Sequence, residues 1–260
     1  MHLKDKAALI TGASRGVGAA TARQLANEGC QVAINYRSSS DEADQVRAEI
    51  EALGVKVITV QGDVAIDADC RNVVSETHKA FGRLDILVNS AGTTRFIDFP
   101  KLEEVTDEAW NAIMDTNAKG VFQCCRAAAP HLKESGAGVI INVASIAAFI
   151  GAGSSIPYCA SKAAVVNLTI ALARTLCPEV RVNAVAPGVI DGEWLKRGLG
   201  ENFETVMTTK AAEAPLQKVS KPEDVATAIL GLIKSDLVTG QTLNVDAGAT
   251  LGPAVQHGIR

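Results

Sequence analysis

Seven short runs of apolar and β-branched residues punctuate the chain: Ala7 to Thr11, Gln31 to Tyr36, Lys56 to Gln61, Leu84 to Asn89, Gly138 to Ala144, Arg181 to Ala186 and Thr242 to Val245. Near-continuous apolar runs of this length predict strands buried on both faces. Between them lie longer amphipathic stretches of helical period: Val17 to Glu28, Asp41 to Leu53, Asp67 to Phe81, Asp107 to Leu132, Tyr158 to Leu176 and Pro222 to Ile233. Strand, helix, strand repeated in this way predicts right-handed crossovers and a parallel sheet with helices on both faces. The expected fold is therefore α/β and doubly wound, with seven parallel strands. No Pro/Gly/Ser linker interrupts the alternation, so residues 1–260 are expected to form one domain. Residues 190–216 break the rhythm with mixed charge and weak helical pattern, which predicts a substrate lid. The tail, residues 252–260, is expected to be an extended end or a subunit contact.

Composition narrows the function. With 260 residues, 47% of them hydrophobic, the chain can bury a full core without disulfides or metal staples. Acidic residues number 29 against 25 basic, a formal net charge of −4, so no general field attracts nucleic acid or anionic lipid, and neither partner is expected. The six cysteines follow no C-x-x-C or zinc spacing and read as reduced thiols, which suits a cytoplasmic location. The four-residue apolar run before Thr11 is too short for a signal peptide. The apolar stretch from Val139 to Ala152 is broken by Asn142 and Ser145 and falls short of the roughly 20 residues that span a bilayer. Cys124 and Cys125 read as small packing residues, and His78 and His131 as helix-surface groups without metal-spaced partners, so no metal centre is expected.

In an open parallel sheet a ligand sits beyond the carboxyl ends of the strands, so the residues after each strand carry the chemistry. After the first strand comes Thr11-Gly12-Ala13-Ser14-Arg15-Gly16-Val17-Gly18, a glycine-rich turn opening a helix. Such a turn lets backbone N–H groups approach a pyrophosphate at a helix N-terminus, the mark of a Rossmann-type dinucleotide site. Strand two ends in Tyr36-Arg37-Ser38-Ser39, with no Asp or Glu to bind a ribose 2′-hydroxyl. Arg37, Ser38 and Arg15 instead suit a 2′-phosphate, so the expected cofactor is NADP(H). Asp63 and Val64 after strand three are placed near the adenine, and Asn89, Ala91 and Gly92 after strand four give small residues where a cofactor passes close to backbone.

Ser145 closes strand five, and thirteen residues later comes Tyr158-Cys159-Ala160-Ser161-Lys162. On a helix Tyr158 and Lys162 leave the same face. A phenol needs roughly 4 kcal/mol of preferential phenolate stabilisation to titrate near 7, and a neighbouring ammonium beside an oxidised nicotinamide is a source for it. Tyr158 is then the general acid of carbonyl reduction and the base of the reverse reaction, with Ser145 holding the substrate oxygen. Residues 93–99, 147–156 and 190–216 would enclose a partly apolar substrate pocket.

Together, Thr11-Gly12-x-x-x-Gly16-x-Gly18, Asn89-Ser90-Ala91-Gly92, Asn117, Ser145, Tyr158-x-x-x-Lys162 and Pro187-Gly188 resemble the short-chain dehydrogenase/reductase family, most closely its 3-oxoacyl-[acyl-carrier-protein] reductase-like branch. The resemblance runs from about Lys4 to Gly252. It implies a catalytic tetrad of Asn117, Ser145, Tyr158 and Lys162, in which Asn117 distorts its helix and holds a water. It further implies that Lys162 binds the nicotinamide ribose, that Pro187, Gly188 and Ile190 meet the carboxamide region, and that the protein is a homotetramer. The turns Cys177-Pro178-Glu179 and Glu134-Ser135-Gly136-Ala137 lack the cations that an acidic carrier protein would dock on. Other readings are a nucleotide-sensing regulator without turnover and a sugar or polyol dehydrogenase of the same family.

Overall fold

In the computed structural model, which describes residues 1–252, every predicted strand joins one parallel sheet. The strands are β1 (Ala7–Thr11), β2 (Gln31–Tyr36), β3 (Val57–Gln61), β4 (Ile86–Asn89), β5 (Gly138–Val143), β6 (Val180–Pro187) and β7 (Thr242–Val245), in spatial order 3-2-1-4-5-6-7. Strand order reverses between β1 and β4, which opens a crevice at their carboxyl ends. Alternate strand residues divide between two cores. Ala8, Ile10, Ile86, Val88, Val139 and Ile141 pack with α1 (Gly16–Asn27), α2 (Ser40–Glu51) and α10 (Pro222–Lys234). Leu9, Leu87 and Ile140 pack on the other face with α3 (Asp67–Phe81), α5 (Gly120–Glu134) and α7 (Ile156–Leu176). The period of two along each strand is what splits them.

A buried polar row fixes the carboxyl ends of the strands. Thr11 Oγ1 accepts from the amides of Ser90 (3.0 Å) and Ala91 (3.1 Å), tying the loop after β4 to β1. Asn89 donates to Asn142 (2.8 Å), and Asn142 donates to Thr169 on α7 (2.9 Å). In a low-dielectric interior these bonds hold one geometry, because breaking one costs about 1–3 kcal/mol; among the described residues only the Asn89 Oδ1 in this row is left without a partner.

Two stretches differ from the sequence reading. The helix expected from Asp107 to Leu132 is interrupted: α4 (Asp107–Met114) runs into a π turn at Asp115–Lys119 before α5 begins. The widened turn keeps the apolar periodicity nearly intact, which is why the pattern alone reads as one helix. The segment 190–216 is largely helical, as α8 (Glu193–Leu199), a 3₁₀ turn and α9 (Phe203–Glu213). These helices bury only Phe203 and Met207, so their sequences carry little core periodicity. A further short helix, α6 (Ala147–Ile150), precedes α7. Among the described residues, helix α7, rather than Val139 to Ala152, is the segment long and apolar enough to cross a membrane, with a mean hydropathy of 1.4. Here it packs against β6 and the π turn, with Lys162 and Thr169 buried beneath it. The expectation for the tail lies, beyond Gly252, outside the described residues.

Candidate active site and dinucleotide cleft

The glycine turn is shaped by contact as well as by conformation. Gly12 takes φ +62°, and a Cβ there would stand 2.7 Å from Ala91 Cα, so the loops after β1 and β4 close on each other through this position. Gly16, at φ +57°, has nothing within 4 Å where its Cβ would point. That face is open at the start of α1, whose first turn has no side-chain cap and no acidic residue. Uncapped amides at a helix N-terminus suit a pyrophosphate.

At the end of β2 the two expected cations converge from different loops. Arg15 Nη2 donates to Ser39 Oγ at 3.1 Å, while Arg37 Nη1 stands 3.7 Å from Asp63 Oδ2. Tyr36 is half-buried beside them and Ser38 is exposed. The Arg37–Asp63 pair is open to solvent and worth little, so an incoming phosphate can displace it. Asp63 Oδ1 also accepts from the Ala65 amide (3.0 Å), and the Val64 carbonyl is held by Gln123 (2.8 Å), which fixes the loop after β3. Ser14 is buried within the glycine turn, and Val17 packs against the core on α1. Gly92 faces Asn117 Oδ1 at 3.5 Å and Lys162 Nζ at 3.8 Å, with nothing closer to where a Cβ would be. The open Gly16 face, the Arg15–Ser39 corner and the room above Gly92 fit an extended dinucleotide.

The Asn89 side chain is buried under the cleft, donating to Asn142 and Cys125. Pro187 and Gly188 close the other end. A Cβ on Gly188 would lie 2.8 Å from Asp246 Cβ, and the Pro187 carbonyl accepts from the amide of Ile146 (3.0 Å). Ile190 pairs with Ser220 where the chain leaves for α8.

The four tetrad residues meet above β4, β5 and β6. Asn117 sits in the π turn, as the implied helix distortion requires. Its side chain accepts from the Thr93 amide (2.8 Å) and donates to the Thr93 carbonyl (2.9 Å) and to Ser161 Oγ (3.0 Å). Thr93 and Ser161, which the motif reading passed over, thereby fix the π turn to α7 and to the loop after β4. Lys162 Nζ donates to the Val143 carbonyl (2.8 Å) and lies 5.7 Å from the centre of the Tyr158 ring. Ser145 Oγ accepts from the Ala147 amide (3.2 Å) and stands beside the Tyr158 phenol.

The family model described as enoyl-(acyl carrier protein) reductase matches residues 12–250. The 3-oxoacyl-[acyl-carrier-protein] reductase FabG of Staphylococcus aureus is 39% identical over 246 residues, covering 94% of this chain and 97% of that protein. A short chain dehydrogenase from Burkholderia cenocepacia, solved in complex with NADP, superposes with a TM-score of 0.87 at 36% identity, covering 96% of this chain and all of that one. A dehydrogenase/reductase from Sinorhizobium meliloti gives 0.84 at 33% identity, covering 95% and 97%. The chain belongs to the short-chain dehydrogenase/reductase family. It is an oxidoreductase.

Within this short-chain dehydrogenase/reductase site the electrostatics differ from the sequence expectation. Burial pushes the Tyr158 phenol up to about 12, against the Ser145 hydrogen bond that works to lower it. Burial also pulls Lys162 down to about 8. A lowered phenol is thus not a property of the chain alone. Segment 190–216 accounts for part of the burial. Trp194 on α8 lies edge-on to the Tyr158 ring (5.9 Å between centres, 72° between planes). Phe96 lies so close beneath α8 that a Cβ on Gly198 would stand 2.0 Å from its ring. Both residues fall in segments expected to enclose substrate, but an isolated aromatic carries no motif that would single it out. Away from the cleft, His78 and His131, read from sequence as isolated, stack with ring centres 4.2 Å apart because α3 packs on α5.

Proposed function

We propose that the chain is a reductase that uses NADP(H) to convert the carbonyl of a 3-oxoacyl thioester, or a similar small ketone, to a secondary alcohol. The observation that carries this reading is the meeting of Ser145, Tyr158 and Lys162 beside a cleft whose far corner holds Arg15 on Ser39 and no acidic residue at the end of β2. The names of the FabG relatives support the substrate class, and the NADP-bound relative supports the coenzyme. The dinucleotide supplies the hydride. Arg15, Arg37 and Ser38 bind its 2′-phosphate, the turn from Gly12 to Gly18 its pyrophosphate, and Asp63 and Val64 its adenine. Ser145 Oγ holds the carbonyl oxygen while Tyr158 gives that oxygen its phenolic proton, and Lys162 steadies the ribose and the phenolate left behind. The same reading takes the protein as a cytoplasmic homotetramer, a location supported by the unpaired state of all six cysteines.

A test follows NADPH oxidation across 3-oxoacyl thioesters, ketosugars, quinones and aliphatic ketones, with NADH in parallel. NADPH should bind tighter than NADH, and a small 3-oxoacyl thioester should turn over without an acyl carrier protein. The turn after α7 carries the carboxylate of Glu179, paired with Lys133 at 4.0 Å, and no free cation for an acidic carrier. A large, salt-sensitive advantage in kcat/KM for the carrier-bound substrate would overturn the carrier-independent part. Tighter binding of NADH would overturn the coenzyme.

A further inference from the structure

We propose that His78, His131 and Glu134 form a site for one divalent transition-metal ion, such as Zn²⁺, that clips the carboxyl end of α3 to that of α5. The three residues share no spacing motif, since His78 comes from a separate helix; the packing assembles them. Cys70, Val73 and Val74 of α3 share one buried cluster with Val121, Cys124, Cys125 and Ala128 of α5, so the two helix ends are held rigidly side by side. On this platform the imidazoles stack with ring centres 4.2 Å apart and 27° between planes. One turn further along α5 stands Glu134, and one ligand atom from each residue lies within 4.8 Å of the others.

The chemistry of the set is selective. Two imidazoles and one carboxylate match the donors of three-ligand Zn²⁺ sites and suit Co²⁺, Ni²⁺ and Cu²⁺, whereas Ca²⁺ and Mg²⁺ take oxygen donors. Tetrahedral bonds of about 2.1 Å place ligand atoms ~3.4 Å apart, so a modest side-chain rotation closes the site and leaves a fourth position for water. Nothing competes for the donors. Among the described residues, neither imidazole and no oxygen of Glu134 has a hydrogen-bond or ion-pair partner. The nearest lysines in sequence are drawn elsewhere, Lys79 to Glu76 (3.8 Å) and Lys133 to Glu179 (4.0 Å). The site lies at the amino-terminal edge of the sheet, roughly 20 Å along α5 from Asn117 at 1.5 Å per residue. Occupancy therefore serves the stability of the α3–α5 pair rather than hydride transfer.

Equilibrium dialysis of untagged, chelator-treated full-length protein against Zn²⁺ tests this, with Co²⁺ absorption reporting the ligand field and thermal melts reporting stability. The expected result is one ion per chain at micromolar Zn²⁺, a tetrahedral Co²⁺ spectrum without thiolate charge-transfer bands, and a Tm that rises with Zn²⁺ concentration. Glu134→Gln, an exposed change that folding tolerates, should weaken binding at least tenfold, and His131→Ala should abolish it. Neither should change the metal-free rate of NADPH oxidation. Cys177→Ser, which removes the exposed cysteine, should leave binding intact. The proposal is overturned if no stoichiometric Zn²⁺ binds, if Glu134→Gln and His131→Ala bind as wild type does, or if Cys177→Ser removes the ion.

Discussion

Among the described residues, Lys162 is buried without a carboxylate to balance its charge, and its ammonium rests on the Val143 carbonyl alone. Burial pulls its pKa down to about 8 and pushes Tyr158 up to about 12, so at neutral pH the phenol keeps its proton and the amine is mostly charged. That is the resting state a general acid needs. The extra positive charge that lowers the phenol has to come with an oxidised nicotinamide ring, a coulombic effect strengthened by the low local dielectric. Tyr158→Phe should therefore bring kcat below about a hundredth of wild type, the low end of a general acid's contribution, while the Kd for NADPH stays nearly unchanged. On the proposed function Lys162 serves both ribose and phenol, so Lys162→Ala should raise that Kd and lower kcat together. Stopped-flow turnover with fluorescence titration of NADPH measures both. A Tyr158→Phe protein that retained more than a hundredth of kcat would remove Tyr158 as the acid.

At the scale of elements, α8 is held against the site by two aromatic contacts, Trp194 on Tyr158 and Gly198 on Phe96. Gly198→Ala puts a methyl where the Phe96 ring now lies, and either the half-exposed ring swings out or α8 lifts. KM should rise several-fold while Tm holds, because α8 buries none of its own residues. Adding Phe96→Ala should restore KM, and steady-state kinetics on the single and double variants would show it. These α8 contacts were hidden from the sequence for a physical reason. Strands β1 and β2 and helix α3 coincide with their sequence patterns, because burial on a sheet face imposes a regular period; β7 also coincides, although none of its residues is buried. The glycine turn and the grouping of Ser145, Tyr158 and Lys162 were legible through local spacing, whereas Asn117 came only from the family resemblance. The π turn at Asp115–Lys119, the inward-turned Asn89 and the closure of α8 depend on contacts between distant segments. No local period encodes them.

The whole molecule carries a pH dependence set by what it buries. Burial raises Cys30, Cys125 and Tyr158 each to about 12. In the unfolded chain these groups lose their protons near their ordinary values of about 8.5 to 10. Between those values and 12 the folded protein holds more protons, so stability falls as pH rises, by about 1.4 kcal/mol per pH unit for each group. Lys162 acts in the opposite sense between about 8 and its ordinary value, but one lysine does not offset three acids. Urea midpoints should thus drop steadily above pH 9, and Cys125→Ala should make the fall shallower. A midpoint unchanged up to pH 11 would contradict the burial of these groups. The surface carries a second expectation. Trp110 on α4, Phe122 on α5 and Ile170 on α7 are about two-fifths exposed, and Leu243 stands out on the edge strand β7. Apolar residues on three helices and on the sheet edge favour two separate two-fold interfaces, and two such interfaces at right angles build a tetramer. Light scattering at micromolar concentration should give four chains per particle. Phe122→Glu should leave dimers joined through β7, because a buried unpaired carboxylate breaks one interface and spares the other. A wild-type monomer would refute the arrangement, and a Phe122→Glu tetramer would remove α5 from it.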